Sequence, residues 1–281
     1  MKGGVKSDVP MFEAYAPPQI AVRVREVGVA KATAPAMTTL ALAVLGGAFI
    51  SLGGLFYTVT VTSEPGVGAH WGLTRLAGGV AFSLGLVLVV VGGAELFTGN
   101  NLIAMAWASG RIRTGQVFRN WGWVYLGNLL GALGTAVLVI LSGVHGLADG
   151  AIGETAVRIA RAKADLDATE AVARGVLCNV LVCLAVWLCM GARGVADKIL
   201  AVVFPISAFV ACGFEHSVAN MYFLPIGVAL AAVSAAPVAL RDALSNLLFV
   251  TLGNVLGGTV LVALVYWFIY LRDSSREGNG S

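Results

Sequence analysis

The sequence predicts an all-α integral membrane protein, with six transmembrane helices in an inverted 3+3 repeat whose second and fifth helices are broken. Composition is the first observation behind this. Of 281 residues 58% are hydrophobic and only 12% charged, with a mean hydropathy of +0.87, whereas a soluble domain carries roughly a quarter of its residues as charges. Second, the charges cluster between six apolar runs that each exceed the roughly 20 residues needed to cross a bilayer. Only helices close all their backbone hydrogen bonds within such a run. Third, two of the runs are too long for one crossing and share motifs in matching order.

The polar N-terminal segment, 1–35, has Pro10, Pro17 and Pro18 followed by a mixed stretch, 19–31, expected as a short interfacial helix on the cytoplasmic side. The transmembrane domain follows over 36–271, with spans at 37–62, 72–109, 117–144, 170–192, 196–230 and 244–271. Repeat one is expected over about 36–144 and repeat two over about 170–271. Between them, 145–168 carries Arg158, Arg161, Lys163, Asp165 and Asp167 and is read as a long connection solvated on at least one face. The tail, 272–281, is Gly/Ser-rich and expected disordered in the cytoplasm.

With the N-terminus inside, inner segments hold Lys2, Lys6, Arg23, Arg25, Lys31, Arg111, Arg113, Arg119, Arg193, Lys198, Arg272 and Arg276. The outer side holds Arg75, Arg158, Arg161, Lys163, Arg174 and Arg241. That bias places both termini in the cytoplasm, as an even number of spans requires. No cleavable signal is expected, because five basic residues precede the first apolar run. Cys178, Cys183, Cys189 and Cys212 all fall within spans and read as packed thiols, not disulfides.

Both long runs are interrupted by an acidic residue among small and polar ones. The first reads Gly92-Gly93-Ala94-Glu95-Leu96-Phe97-Thr98-Gly99-Asn100, the second Cys212-Gly213-Phe214-Glu215-His216-Ser217-Val218-Ala219-Asn220. Each has a Glu followed five residues later by an Asn. Span three then contains Gly127-Asn128-Leu129-Leu130-Gly131, and span six Gly253-Asn254-Val255-Leu256-Gly257. Gly47 and Ser51 of span one offer a weaker match to Gly175 and Asn179 of span four. Paired broken helices at corresponding positions point to a permeation site near the bilayer midplane.

An ionised carboxylate in an apolar segment is costly unless paired or wet. Glu95 and Glu215 therefore read first as supports for freed backbone groups or facing Asn side chains, and second as ligand contacts. His216 is the one histidine inside a span, His70 and His145 lying in outer loops. In an ordinary domain it would read as a satisfied core residue. At a helix break beside a Glu it reads as functional. No metal is expected, because neither a second His nor a Cys pair stands near it, and no cofactor. Thr98, at the other break, suits a small polar solute. Asn128, Asn254, Asn179, Asn100 and Asn220 are read as groups that orient these residues or satisfy backbone.

Leu96-Phe97-Thr98-Gly99, the run from Gly213 to Met221, and Asn179-Val180-Leu181-Val182-Cys183-Leu184-Ala185-Val186-Trp187 closely resemble the formate/nitrite transporter family, over about residues 20–271. The resemblance implies an aquaporin-like protomer assembled as a homopentamer in a bacterial-type cytoplasmic (inner) membrane. It implies a Thr98–His216 central pair, with Lys163 drawing anions into the outer vestibule and Asn179 near it. It further implies a cytoplasmic constriction of Phe82, Leu86 and Phe209 and a periplasmic one of Leu96, Phe97 and Val182. The partners implied are formate or a related small anion, the bilayer and further copies of the chain, with no nucleic acid. Formate is the expected solute, and nitrite or hydrosulfide the alternatives. Val124-Tyr125-Leu126-Gly127-Asn128, Phe214 and Tyr222-Phe223-Leu224-Pro225 are more like the formate members, while Gly99 is shared with the others. A carboxylic acid with a pKa around 4 is almost wholly ionised at pH 7, and a dry constriction opposes its charge. His216 is therefore expected to assist protonation. The resemblance further implies that the N-terminal segment gates the cytoplasmic mouth with pH. A neutral-solute channel would show two Asn-Pro-Ala boxes, and the sequence has none. A membrane enzyme would need paired His, a Cys set or a nucleotide-binding extension.

Overall fold

The computed structural model describes residues 14–62, 70–231 and 237–272. From 273 on, the tail expected to be disordered lies outside the described residues, as does Pro10. Among the described residues all regular structure is helical: α1 (Pro17–Thr33), α2 (Ala36–Val61), α3 (Trp71–Gly92), α4 (Ala104–Ala108), α5 (Thr114–Leu141), α6 (Ala151–Ala164), α7 (Ala168–Gly191), α8 (Val195–Ala211), α9 (Ser217–Ala231), α10 (Leu240–Val255) and α11 (Val265–Tyr270). A 3-10 turn, Gly99–Ile103, leads into α4, and a π-helical stretch, Leu256–Leu264, joins α10 to α11.

Among the described residues, five helices are long and apolar enough to cross a membrane: α2, α3, α5, α7 and the continuous rod Leu240–Tyr270. The run at 196–230 is divided into α8, of 17 residues, and α9, of 15. Each falls short of the length a crossing needs. The run at 72–109 likewise ends its main helix at Gly92 and resumes at Gly99. A glycine makes each break. Gly93 has φ 81° and Gly213 φ 74°, the left-handed conformation in which a Cβ would clash. Behind them Ala94 N–H returns to Val89 O (2.9 Å) and Phe214 N–H to Phe209 O (3.0 Å), closing the last turn of α3 and of α8.

One region departs from the sequence reading. The connection 145–168 contains a 14-residue helix, α6, whose Ile152, Thr155, Ala156 and Ala160 are buried, largely against α9. Its buried residues at 152, 155, 156 and 160 recur at helical spacing, a local signal that the sequence reading passed over, and α9 covers the face they form. The N-terminal stretch forms α1, and its Ile20, Ala21, Val24, Gly28 and Ala32 are buried against the 3-10 turn, α4 and α7. It is docked on the bundle. Cys178, Cys183 and Cys189 are buried, but Cys212 is exposed at the end of α8.

The core is built on close crossings of α2 with α3 and α5, of α3 with α8, and of α7 with α10. Apolar lipid gives no hydrophobic drive between such helices, so backbone proximity and van der Waals contact hold them. Gly131 of α5 shows the constraint: any Cβ there would collide with the Val44 carbonyl oxygen of α2. Gly131→Leu should lower the unfolding temperature in detergent by several degrees, overpacking costing about 1–3 kcal/mol or more. Gly134→Leu, one turn on with open space around it, should leave it nearly unchanged; equal effects would remove the close-approach argument.

Candidate functional site

Each break strands backbone groups, and an asparagine from a neighbouring helix takes them up. Asn128 of α5 donates to Ala43 O (2.7 Å) and Glu95 O (2.9 Å) and accepts from Phe97 N–H (2.9 Å). Asn254 of α10 donates to Gly175 O (2.8 Å) and Glu215 O (2.9 Å) and accepts from Ser217 N–H (2.8 Å). The open chain is also tied to the preceding span, by Glu95 N–H to Leu42 O (3.1 Å) and Glu215 N–H to Arg174 O (3.2 Å). Buried amides held on both donors and the acceptor fix the path of each break.

The two glutamates close ion-paired networks. Lys31 of α1 meets Glu95 Oε1 at 3.0 Å and donates to Asn100 Oδ1 at 2.8 Å. Asn100 donates to Glu95 Oε2 and to Asn120 Oδ1, and Asn120 donates back to Lys31 O (3.1 Å). Lys163 of α6 meets Glu215 Oε1 at 2.9 Å and Oε2 at 3.1 Å. Asn220 donates to Glu215 Oε2 (2.7 Å) and Asn246 Oδ1 (2.8 Å), and Asn246 to Lys163 O (2.7 Å). Both glutamates thus stand as supports in these networks.

Between the breaks, Thr98 Oγ1 and His216 Nε2 lie 2.9 Å apart, both buried. Ala219 N–H donates to His216 Nδ1 (3.0 Å). Nδ1 is therefore an acceptor, the ring proton sits on Nε2, and it is Nε2–H that donates to Thr98. The threonine hydroxyl keeps its own proton to offer elsewhere.

Two cavities approach this bridge from opposite ends of α3. One, of about 410 Å³, is lined by Trp71, Thr74, Arg75 and Phe82 of α3, and by Arg158, Lys163, Arg174, Phe209, His216 and Phe223. The other, of about 320 Å³, is lined by Leu86, Val89, Val90 and Gly93 of α3, and by Val24, Lys31, Glu95, Leu96 and Asn100. Phe82, Leu86, Phe209 and Leu96 are each no more than 4% exposed, so the polar bridge lies in a dry neck. Phe209 packs edge-on against Phe82 (centroids 5.7 Å) and stacks on the His216 ring (5.9 Å).

Several expectations are corrected. Phe82 and Phe209 line the Lys163 cavity, while Leu86 and Leu96 line the Lys31 cavity. The constriction of Phe82, Leu86 and Phe209 is therefore split: its two phenylalanines stand on the same side as Lys163, and Leu86 and Leu96 on the side of Lys31. Phe97 and Val182 line neither cavity. Phe97 packs against Tyr125 and Trp121, and Val182 is buried in the core. Lys163 is on a helix, with its charge held by Glu215. Asn179 lines neither cavity; it donates to Asn254 O (2.7 Å) and Thr98 O (3.3 Å), behind the bridge. Sequence reading missed Lys31, Asn120, Asn246 and Arg75. Arg75 donates to Val210 O (2.7 Å) and Ala211 O (3.1 Å) at the end of α8. For three of them a signal existed: Asn120 and Asn246 repeat at the separation of Asn128 and Asn254, and Lys31 precedes Glu95 much as Lys163 precedes Glu215.

Removing one member of a buried ion pair leaves an uncompensated charge, at about 3–5 kcal/mol. Glu215 is 4% exposed, so Lys163→Met should strongly lower the unfolding temperature in detergent. Lys163→Met with Glu215→Gln should recover much of the loss. A double variant no better than the single would show that the charge pairing is not what matters there.

A family model described as formate/nitrite transporter matches residues 18–268. The formate channel FocA of Escherichia coli is 42% identical, the alignment covering 97% of this chain and 100% of that protein. A solved pentameric formate channel with formate bound superposes with a TM-score of 0.77 at 38% identity, over 84% of this chain and 98% of that one. A solved FNT family ion channel has the same TM-score at 32% identity, over 90% of this chain and 98% of that one. Helices of membrane-crossing length, paired breaks that meet at a buried Thr–His bridge, and a match over nearly the whole chain lead to one conclusion: this multi-pass membrane protein belongs to the formate/nitrite transporter family.

Proposed function

We propose that the chain is a channel for formate and related small weak-acid anions, working as a homopentamer with one pathway per subunit in a bacterial-type cytoplasmic membrane, termini inside. The observation that carries this is the Thr98–His216 bridge, set in a dry neck between two cavities that each hold a lysine. A neck lined by Leu86, Leu96, Phe82 and Phe209 opposes a bare charge. The Thr98 O–H, left free by the bridge, suits one oxygen of a carboxylate, and His216 Nε2–H, released where the anion opens the bridge, suits the other. Nitrite, with the same two-oxygen fork, is the second reading.

The fixed tautomer sets a condition on assisted protonation. A second ring proton would place an Nδ1–H against Ala219 N–H, two donors facing each other. A ring that gave up its Nε2 proton would be left as an imidazolate, so a loan to formate balances only if a proton from the cavity water reaches Nε2 in the same step.

Six spans in an inverted repeat are the architecture we infer for this pathway. The paired networks support it and extend it: α1 with Lys31 corresponds to α6 with Lys163, so each repeat begins earlier than hydropathy suggests. In this register Ala43, which Asn128 holds, corresponds to Gly175, which Asn254 holds. The weaker sequence match of Gly47 with Gly175 is thus one helical turn out. Thr98 then corresponds to Val218, and His216 to Leu96. The bridge is where the two halves differ, which gives the pathway a single polar station.

The experiment is flux into proteoliposomes at two pH values, comparing formate, nitrite, hydrosulfide, chloride and glycerol. Fast formate and slow glycerol are expected. Thr98→Val, which keeps the shape and removes the donor, should cut formate flux at least tenfold, in line with the loss of a positioned donor. Glycerol passing while every anion is excluded would overturn the proposal. His216→Ala with undiminished flux and unchanged pH dependence would remove that residue from the pathway.

A further inference from the structure

The charge of the two cavities is unequal. The Lys31 cavity is lined by one cation and one carboxylate, Lys31 and Glu95, which pair with each other. Among the described residues, the Lys163 cavity is lined by four cations, Arg75, Arg158, Lys163 and Arg174, against one carboxylate, Glu215. Lys163 is in contact with that carboxylate, so the pair contributes little net field and the arginines set the potential of this mouth. Arg158 donates to the neutral Thr155 hydroxyl (2.8 Å) and has no ion pair among the described residues. Arg75 is bonded to neutral acceptors, the Val210 and Ala211 carbonyls and the Tyr57 hydroxyl, so its geometry is satisfied and its charge is not. Arg174 reaches only Glu170, one turn away, in an exposed pair of the kind that water largely screens. A side chain at Gly213 would meet Arg75 Nη2 at 3.1 Å and Arg174 Nη1 at 3.9 Å. Two guanidiniums therefore converge over one bare glycine at the wall of the cavity.

We propose that Arg158 and Arg174, in the field of Arg75, form a carboxylate-capture site at the Lys163 mouth, ahead of the neck, and that anions at low concentration bind from this mouth in preference to the other. The planar fork of a guanidinium matches a carboxylate, and unlike Lys163 these forks are not occupied by a buried partner. A concave site with one sign of charge raises the local concentration of the opposite ion, and salt weakens the effect. The flux arm of the test rests on the proposal that the chain conducts formate. The binding arm does not.

Trp71 lines the same cavity, with the Arg75 guanidinium 5.8 Å from its ring centroid, and serves as the probe. Its quenching, isolated by difference against Trp71→Phe, is measured in detergent with iodide and with neutral acrylamide. For R158Q/R174Q, iodide quenching should fall about fivefold and acrylamide quenching stay level, as expected for removing two charges at close range. R158K/R174K should restore most of it. In proteoliposomes the glutamine variant should raise the formate concentration for half-maximal flux by a similar factor, leave maximal flux in place, and lose its difference from the parent in high salt. Equal iodide quenching in parent and variant, with formate flux intact, would overturn the capture site and spare the channel. A quenching difference in a protein that passes no formate would keep the site and overturn the substrate.

Discussion

A helix that stops inside an apolar layer strands backbone N–H and C=O groups where no water can reach them, and each costs several kcal/mol if left unpaired. The chain does this twice, at Gly93 and at Gly213. Asn128 and Asn254 repair the damage with the donors and acceptor of one carboxamide each, reaching across from helices that hydropathy alone would call uniform spans. Much of the surrounding packing follows from that repair. Gly46 has no side chain because the Glu95 carbonyl lies where its Cβ would be, and Gly47 makes the same room for Asn128.

The charges follow from the same constraint. A glutamate at each break would be prohibitively costly alone, and each is matched by a lysine from a helix outside the long spans, α1 or α6. Those two helices are therefore part of the pathway's frame, although the hydrophobicity of neither announces it. Pairing also neutralises the interior, which leaves the neck to be governed by apolar rings and by one neutral hydrogen bond between Thr98 and His216. The bridge presents the Thr98 hydroxyl proton and carries no cation of its own.

The two breaks share their repair, an asparagine amide and a Lys–Glu pair each, and differ at the bridge. Thr98 and His216 stand opposite apolar counterparts in that register. Conformational rigidity around the bridge comes from the Ala219 N–H that fixes the imidazole and from the Phe209 ring stacked on it.

The sequence by itself determined the class, the apolar spans, the two interruptions and the residues at them, because each is a property of consecutive residues: a long apolar run, a glycine beside a glutamate, an asparagine at a repeated spacing. It also pointed to Thr98 and His216, as polar groups that an apolar segment does not carry without reason. Tertiary structure decided what depends on which helices touch. The stretch 151–164 carries an amphipathic helix pattern of its own, and α9 decided where its apolar face is buried. Lys163 changed from a loop charge to half of an ion pair with buried Glu215, Asn179 moved behind the bridge, and Phe82 and Phe209 joined the cavity that holds Lys163. A long side chain reaches across several residues' worth of space, so its partner is set by the packing of helices distant in the chain. Linear spacing carries no record of that, except where a repeat writes the same contact twice.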